Sequence, residues 1–116
     1  MIVCVIDDLL FSIKISTAAK SLGVDLYFER SADSVVSTIR EKRPSLVIFD
    51  LNGTRLRPMD AIAQLKSDTE LKELRTLGYV AHVDTNAITA ARAAGIDQVL
   101  ARSAFASSLE QILTSA

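Results

Sequence analysis

Short apolar runs alternate along the chain with longer stretches whose apolar residues recur at helical spacing. The apolar runs predict strands over residues 2–6, 24–28, 46–50, 76–83 and 98–101. The stretches between them predict helices over 9–22, from near 31–34 to just before Pro44, from Pro58 onward, over 86–94 and over 103–114. Strict alternation of strand and helix implies parallel strands, right-handed crossovers and helices on both faces of a sheet. The pattern therefore predicts one α/β domain of βα units.

Three aspartates stand where two of the most apolar runs end. Asp7 and Asp8 follow the run 2–6, and Asp50 ends the run 46–50. Such unbroken runs are typical of strands buried on both faces, and open α/β sheets bind ligands at the carboxyl ends of their strands. Neighbouring strands would bring the three acids into one crevice, where they raise one another's pKa unless a cation lies among them. Carboxylate oxygens suit Mg²⁺ or Ca²⁺, so the cluster indicates a metal and phosphoryl site.

Composition narrows the classes of protein that fit. The 116 residues are 49% hydrophobic, which is enough for one domain with its own core. The net charge of −1, without clustered Lys and Arg, argues against a nucleic-acid surface. The single cysteine, Cys4, lies inside the first apolar run and is expected to be a buried hydrophobe. Without a signal-type leader or an apolar segment near ~18 residues, we predict a cytoplasmic protein that makes no membrane contact.

Four short motifs carry a resemblance to a known family. They are Val5-Ile6-Asp7-Asp8 ending the first strand, Val47-Ile48-Phe49-Asp50 ending the third, Pro58-Met59-Asp60 opening the third helix and Gly95-Ile96-Asp97 before the last strand. With these motifs the whole chain, residues 1–116, resembles a bacterial two-component response-regulator receiver domain with no output domain.

The resemblance implies a fold, a chemistry and partners. The fold is a flavodoxin-like, doubly wound parallel sheet in the strand order 2-1-3-4-5. Asp50 would accept a phosphoryl group from a sensor histidine kinase or a phosphotransfer protein. Asp7, Asp8 and Asp50, with the backbone carbonyl of Asn52, would hold Mg²⁺. Output would pass to another protein, with a homodimer through the fourth and fifth helices as a further expectation, and the chain would not be an enzyme beyond its own phosphorylation and dephosphorylation.

Several positions depart from the family pattern. The hydroxyl residue expected at the end of the fourth strand is Val80, and the aromatic residue expected on the fifth strand is Val99. The family's lysine and the proline after it are Arg102 and Ser103 here. An arginine keeps the positive charge of a lysine but is longer and planar. The acid pocket is thus retained while the groups expected to sense a phosphoryl group are replaced.

The loop after Asp50 and the single histidine leave alternatives open. Arg55 and Arg57 either pair with carboxylates or a phosphoryl group or are solvated loop charges, and a paired arginine would replace the charge of the metal. His82 is either a pH-sensitive group at the mouth of the pocket or a surface loop residue.

Three other interpretations compete with a phosphoacceptor. The aspartates can cap the helices that follow them, although capping does not explain why Asp7 and Asp8 are adjacent. The segment 50–54 also resembles the nucleophile motif of haloacid-dehalogenase-type phosphatases, but Asn52 stands where the second acid is needed. The third interpretation is a receiver-like interaction module that works without phosphorylation, which Val80, Val99 and Arg102 favour.

Overall fold

The computed structural model describes residues 1–81 and 84–116. The strands are β1 (Ile2–Val5), β2 (Leu26–Phe28), β3 (Leu46–Asp50), β4 (Arg75–Val80) and β5 (Gln98–Ala101). The helices are α1 (Leu9–Leu22), α2 (Val35–Lys42), α3 (Pro58–Ser67), α4 (Thr85–Ala94), α5 (Arg102–Ser107) and α6 (Leu109–Thr114). Two short 3₁₀ turns, Ala32–Ser34 and Thr54–Leu56, precede α2 and α3.

The strands form one parallel sheet in the order β2-β1-β3-β4-β5, as predicted. Strand β1 lies between β2 and β3. Its register with β3 places Val5 beside Phe49, so the two strands end at the same edge of the sheet. The residues that follow β1 therefore meet the end of β3.

Side chains alternate between two cores, one on each face of the sheet. One core contains Val3, Val5, Val47 and Phe49 and is covered by α2, α3 and α4. The other contains Ile2, Cys4, Leu46, Ile48 and Tyr79 and is covered by α1, α5 and α6. Because both faces are covered, β1 and most of β3 are apolar at every position, which explains the unbroken runs in the sequence.

Several predicted boundaries need correction. Strand β1 ends one residue earlier than predicted, and β2 begins at Leu26 rather than at residue 24. Strand β4 begins at Arg75 and ends at Val80. The rest of the strand predicted over 76–83 is not formed at residue 81, and residues 82 and 83 lie outside the described residues, as does the interpretation of His82.

The last predicted helix, 103–114, is two helices in the structure. At Ser108 the backbone has φ −104° and ψ 9°, and its N–H is shared between the carbonyls of Ala104 and Phe105. The Ser107 hydroxyl also donates to the carbonyl of Ala104. Consecutive serines weaken a helix because their hydroxyls compete for backbone groups, which explains the interruption between α5 and α6.

Candidate active site

Asp7 and Asp8 follow β1 and Asp50 ends β3, so the adjacency of the two strands places all three at the same carboxyl edge of the sheet. Asp50 is the last residue of β3 and is partly buried. Its pKa is raised mainly by burial and further by the negative charge of Asp8, while Arg102 and the N–H groups of Asn52 and Gly53 act to lower it. Of the other two acids, Asp8 is the one close enough to act on the charge of Asp50.

The two carboxylate oxygens of Asp50 differ in their contacts. Its Oδ1 accepts a hydrogen bond of 3.0 Å from the backbone N–H of Asn52. Among residues 1–81 and 84–116 no well-formed hydrogen bond reaches its Oδ2, although the Gly53 N–H lies near enough to the carboxylate to lower its pKa. The Asn52-Gly53 turn is held by the Gly53 N–H, which donates to the Asp50 carbonyl at 3.1 Å. One oxygen of Asp50 is therefore fixed and the other is available for chemistry.

Asp8 has two structural roles at once. Its Oδ1 accepts from the Phe11 N–H at 3.1 Å and caps the first turn of α1. Its Oδ2 accepts from the Arg102 guanidinium at 2.6 Å. Arg102 also lies over the ring of Phe11, with the guanidinium carbon 4.6 Å from the ring centre. Capping and metal binding were alternatives from the sequence, and the structure shows that the cap is real for Asp8.

Asp7 is held by an arginine that follows the third strand. Arg55 donates from Nε to Oδ2 at 2.8 Å and from Nη2 to Oδ1 at 2.6 Å, so the pair is bidentate. The hydrogen bond from Arg55 lowers the pKa of Asp7. Of the two alternatives for Arg55, pairing is the one realised. All four side-chain oxygens of Asp7 and Asp8 thus accept hydrogen bonds from the protein.

Arg57 lies outside the pocket. Its guanidinium donates to Asp33 at 2.6 Å, beside the 3₁₀ turn that precedes α2. Among the described residues, no side chain of Ser31, Asp33 or Ser34 accepts a capping hydrogen bond from that turn or from α2, although serine and aspartate are common N-cap residues. Asp33 bonds across to the loop instead of to its own helix, and this partner cannot be read from local sequence.

Asn52 has a role that the sequence did not reveal. Its side-chain oxygen accepts from the Ala81 N–H at 2.6 Å, and its amide nitrogen lies 3.4 Å from a carboxylate oxygen of Asp84, the N-cap of α4. Its backbone carbonyl, the predicted metal ligand, accepts from the Thr54 N–H at 2.9 Å. Asn52 therefore joins the end of β3 to the segment after β4. The Asn-Gly pair signalled the turn but not this bridge.

The two positions where the family has a hydroxyl residue and an aromatic residue, Val80 and Val99, have apolar surroundings in the structure. Val80 is buried at the end of β4 in the core beneath α3 and α4, and the partly buried Val99 packs against the same core. Neither side chain has a polar atom.

Cys4 is buried as expected, and burial raises the pKa of its thiol to about 12.

The pocket suits a divalent cation by ligand type but not in this arrangement of side chains. Carboxylates and a backbone carbonyl are the hard oxygen ligands that Mg²⁺ prefers. Among the side chains of residues 1–81 and 84–116, no group of three or more His, Cys, Asp or Glu is placed to hold a metal ion. The ion pairs of Asp7 and Asp8 with Arg55 and Arg102 compete with a cation for the same oxygens.

The chain resembles solved structures of response regulators, although its sequence matches no family model. No protein-family model matches the chain, and no curated protein matches it. Among solved structures, a putative response regulator from Chloroflexus aurantiacus matches with TM-score 0.85 at 18% identity, over 98% of this chain and 93% of that one. The phosphorylated cyanobacterial phytochrome response regulator RcpA matches with TM-score 0.81 at 21% identity, over 98% and 88% of the two chains. This chain has the receiver fold.

A further receiver match bears on the metal. The receiver domain of sensor histidine kinase PA1611 from Pseudomonas aeruginosa, with magnesium coordinated in its active-site cleft, matches with TM-score 0.84 at 18% identity, over 98% of this chain and 93% of that one. At such identities the likeness establishes the receiver fold, and the chemistry of this pocket rests on its own residues.

None of the helices in the described parts of the chain is long and apolar enough to cross a membrane.

Proposed function

We propose that this chain is a phosphorelay receiver in which Asp50 accepts a phosphoryl group. The observation that carries the proposal is the position of Asp50 at the end of a buried strand, with Oδ1 fixed by Asn52 and no well-formed hydrogen bond to Oδ2 from the residues that the structure describes. In the reaction, Oδ2 attacks the phosphorus atom of the donor and forms an acyl phosphate. The bond from phosphorus to the donor's nitrogen or oxygen breaks, and its electron pair leaves with the donor.

The residues around Asp50 support this reaction in different ways. Asp7, Asp8, Asp50 and the Asn52 carbonyl are the groups that we propose hold Mg²⁺, which when bound supplies positive charge to the phosphoryl oxygens. Arg102 is close enough to act electrostatically on Asp50, and we propose that it supplies the second positive charge. The chain would turn over no external substrate.

Apolar surface beside the pocket supports contact with a protein donor. Leu9, Leu10 and Ile13 at the start of α1 are 65%, 80% and 55% exposed, and they directly follow Asp8. A donor that delivers its phosphoryl group to Asp50 must cover this rim, and adjoining exposed apolar side chains are typical of protein contact sites. We propose a sensor histidine kinase or a phosphotransfer protein as this donor.

We propose that output from this pocket does not use the hydroxyl residue and the aromatic residue that the family has at the positions of Val80 and Val99. Val80 is buried and has no hydroxyl to bond a phosphoryl oxygen, and Val99 is packed beside the same core. We propose that phosphorylation acts on the Asn52 bridge to Ala81 and Asp84, because Asn52 is two residues from Asp50 and contacts the start of α4. The output partner is another protein, and the dimer through the helices after β4 and β5 stays a prediction.

Mass spectrometry of the intact protein tests the proposal. Incubation with Mg²⁺ and acetyl phosphate should add one phosphoryl group to the wild type and to Asp33→Asn, a control that removes an acid outside the pocket. Asp50→Asn should gain none. Absence of a mass change in the wild type at saturating donor would contradict the phosphoacceptor function.

A second candidate function is an interaction module that works without phosphorylation. The specific observation that favours it is that all four oxygens of Asp7 and Asp8 are already paired, two of them with Arg55 and one with Arg102. In that case the arginines replace the cation permanently and the mass stays unchanged. A phosphatase has no comparable support, because the Asn52 side chain bridges two segments instead of serving as an acid or base.

A further inference from the structure

The loop between β3 and α3 is built to place one positive charge in the acid pocket. Residues 54–56 form a 3₁₀ turn whose closing bonds run from the Leu56 N–H to the Gly53 carbonyl and from the Arg57 N–H to the Thr54 carbonyl. Leu56 is 2% exposed and anchors the turn in the core. Arg55, next to this anchor, extends to Asp7.

The contact that Arg55 makes competes directly with a metal. Both oxygens of Asp7 accept from Arg55, so a cation at Asp7 would have to share these oxygens with the guanidinium or displace it. A guanidinium and a divalent cation are also both positive, and two positive groups at one carboxylate repel each other. Occupation of Asp7 by Arg55 therefore opposes its occupation by Mg²⁺.

The second arginine of the loop shows that the Arg55 contact is position-specific. Arg57 belongs to the same loop and also pairs with an aspartate, yet its partner is Asp33, away from the pocket acids. Arg57 has a positive φ of 48° just before Pro58, which fixes the direction in which α3 leaves the loop. The loop thus offers one arginine that faces the metal ligands and one that does not.

We propose that Arg55 is an internal competitor of the metal, a tethered cation that neutralises Asp7 in the metal-free protein and must leave when Mg²⁺ binds. This inference rests on the proposed function, because it concerns the same site. It assigns to the loop 53–57 a regulatory role: metal loading and release of the loop are one event. By linkage, whatever holds Arg55 elsewhere tightens metal binding, and metal binding in turn frees Arg55.

Calorimetric titration with Mg²⁺ and with Mn²⁺ tests the competition. Arg55→Gln should bind either ion about three- to fivefold more tightly than the wild type, the upper part of the range expected when an exposed ion pair no longer has to be broken. Arg55→Lys, which keeps the charge but loses the planar fork, should lie between the two. Arg57→Gln makes the same change in net charge in the same loop and should stay within about twofold of the wild type.

An NMR measurement supplies an independent readout. The Arg55 Nε–H resonance should move toward the position of a free guanidinium as Mg²⁺ is added, because its acceptor on Asp7 is lost. Equal metal affinity of the wild type and Arg55→Gln, with an unshifted Arg55 resonance, would overturn the competition while the metal site itself stands. Absence of binding to every variant, Arg55→Gln included, would instead overturn the metal site of the proposed function and the competition with it.

Discussion

At the scale of single residues, the pocket combines a free oxygen with paired ones. Oδ2 of Asp50 has no well-formed hydrogen bond among the described residues, whereas Asp7 and Asp8 are each paired with an arginine. Beneath the pocket, the hydroxyl of Tyr79 is buried without a hydrogen-bond partner in the described parts of the chain. Its pKa is raised strongly, first by burial and then by the charges of Asp50 and Asp8. The chain therefore carries an energetic cost at Tyr79 that a phenylalanine would avoid.

Replacement of Tyr79 with Phe tests that cost. Tyr79→Phe should leave the free energy of unfolding unchanged or raise it by about 1 kcal/mol, because an unpaired buried hydroxyl is removed. Tyr79→Leu is the control, since it also removes the ring that lies 4.9 Å from the rings of Phe11 and Phe105. That variant should lose about 1–3 kcal/mol. Chemical denaturation measures both, and a clear loss of stability in Tyr79→Phe would show that the hydroxyl has a partner.

At the scale of elements, the packing of the side chains of Leu51 and Ile96 over β4 depends on Gly78. A Cβ atom at this position would lie 2.7 Å from Leu51 Cδ1 and 2.8 Å from Ile96 Cδ1, which is shorter than van der Waals contact. Gly78 pairs with Phe49 of β3 and Val99 of β5 in the middle of the sheet, so the backbone cannot move away without loss of strand pairing. The packing at the carboxyl ends of β3 and β4 therefore requires a residue without a side chain at position 78.

The substitution Gly78→Ala tests this constraint. We expect a loss of about 1–3 kcal/mol in the free energy of unfolding, because the added methyl group overpacks a core position. Leu51→Ala alone should also destabilise the fold, by creating a cavity. The double variant should lose less than the sum of the two, since the alanine at 51 makes room for the new methyl group. Additive losses measured by denaturant unfolding would show that Leu51 is not the obstacle.

At the scale of the whole molecule, ion pairs of distant segments make the fold sensitive to acid. The pKa of Asp7 is lowered by its hydrogen bond from Arg55, and that of Asp68 by its hydrogen bond from Arg40. Burial acts to raise the pKa of Asp97, but the groups of Lys66 and Thr76 outweigh it and leave the pKa below its usual value. Each of these carboxyl groups therefore stabilises the fold when the pH is above 3.8, the ordinary pKa of an aspartate.

Thermal unfolding at several pH values tests the sum of these pairs. A carboxyl with a lowered pKa stabilises the folded state above its unfolded pKa, and this stability is lost as the pH falls through the folded value. Asp50, whose pKa is raised, acts in the opposite direction and offsets part of the effect. We expect the melting temperature to be lower at about pH 3 than at about pH 7. An unchanged melting temperature would show that the ion pairs contribute nothing in solution.

The sequence by itself determined the order of elements and the edge where the acids lie. Alternating apolar runs and helical stretches fix strands and helices because each is a local repeat, and parallel connections then leave few arrangements. Asp7, Asp8 and Asp50 could be placed because each directly follows or ends such a run. Local signals were not enough at Ser108, inside a helix predicted as continuous, or at the start of α2, where Ser31 and Ser34 make no side-chain cap.

Only the tertiary structure decided how the acids are neutralised. Arg55 bonds to a residue 48 positions away, Arg102 to one 94 positions away and Asn52 to one 29 positions away. No repeat or turn signal encodes such pairs, because electrostatic attraction depends on distance in space and on what the folded backbone brings within reach. The sequence thus located the acids, and the fold paired two of them with arginines: Asp7 with Arg55 and Asp8 with Arg102.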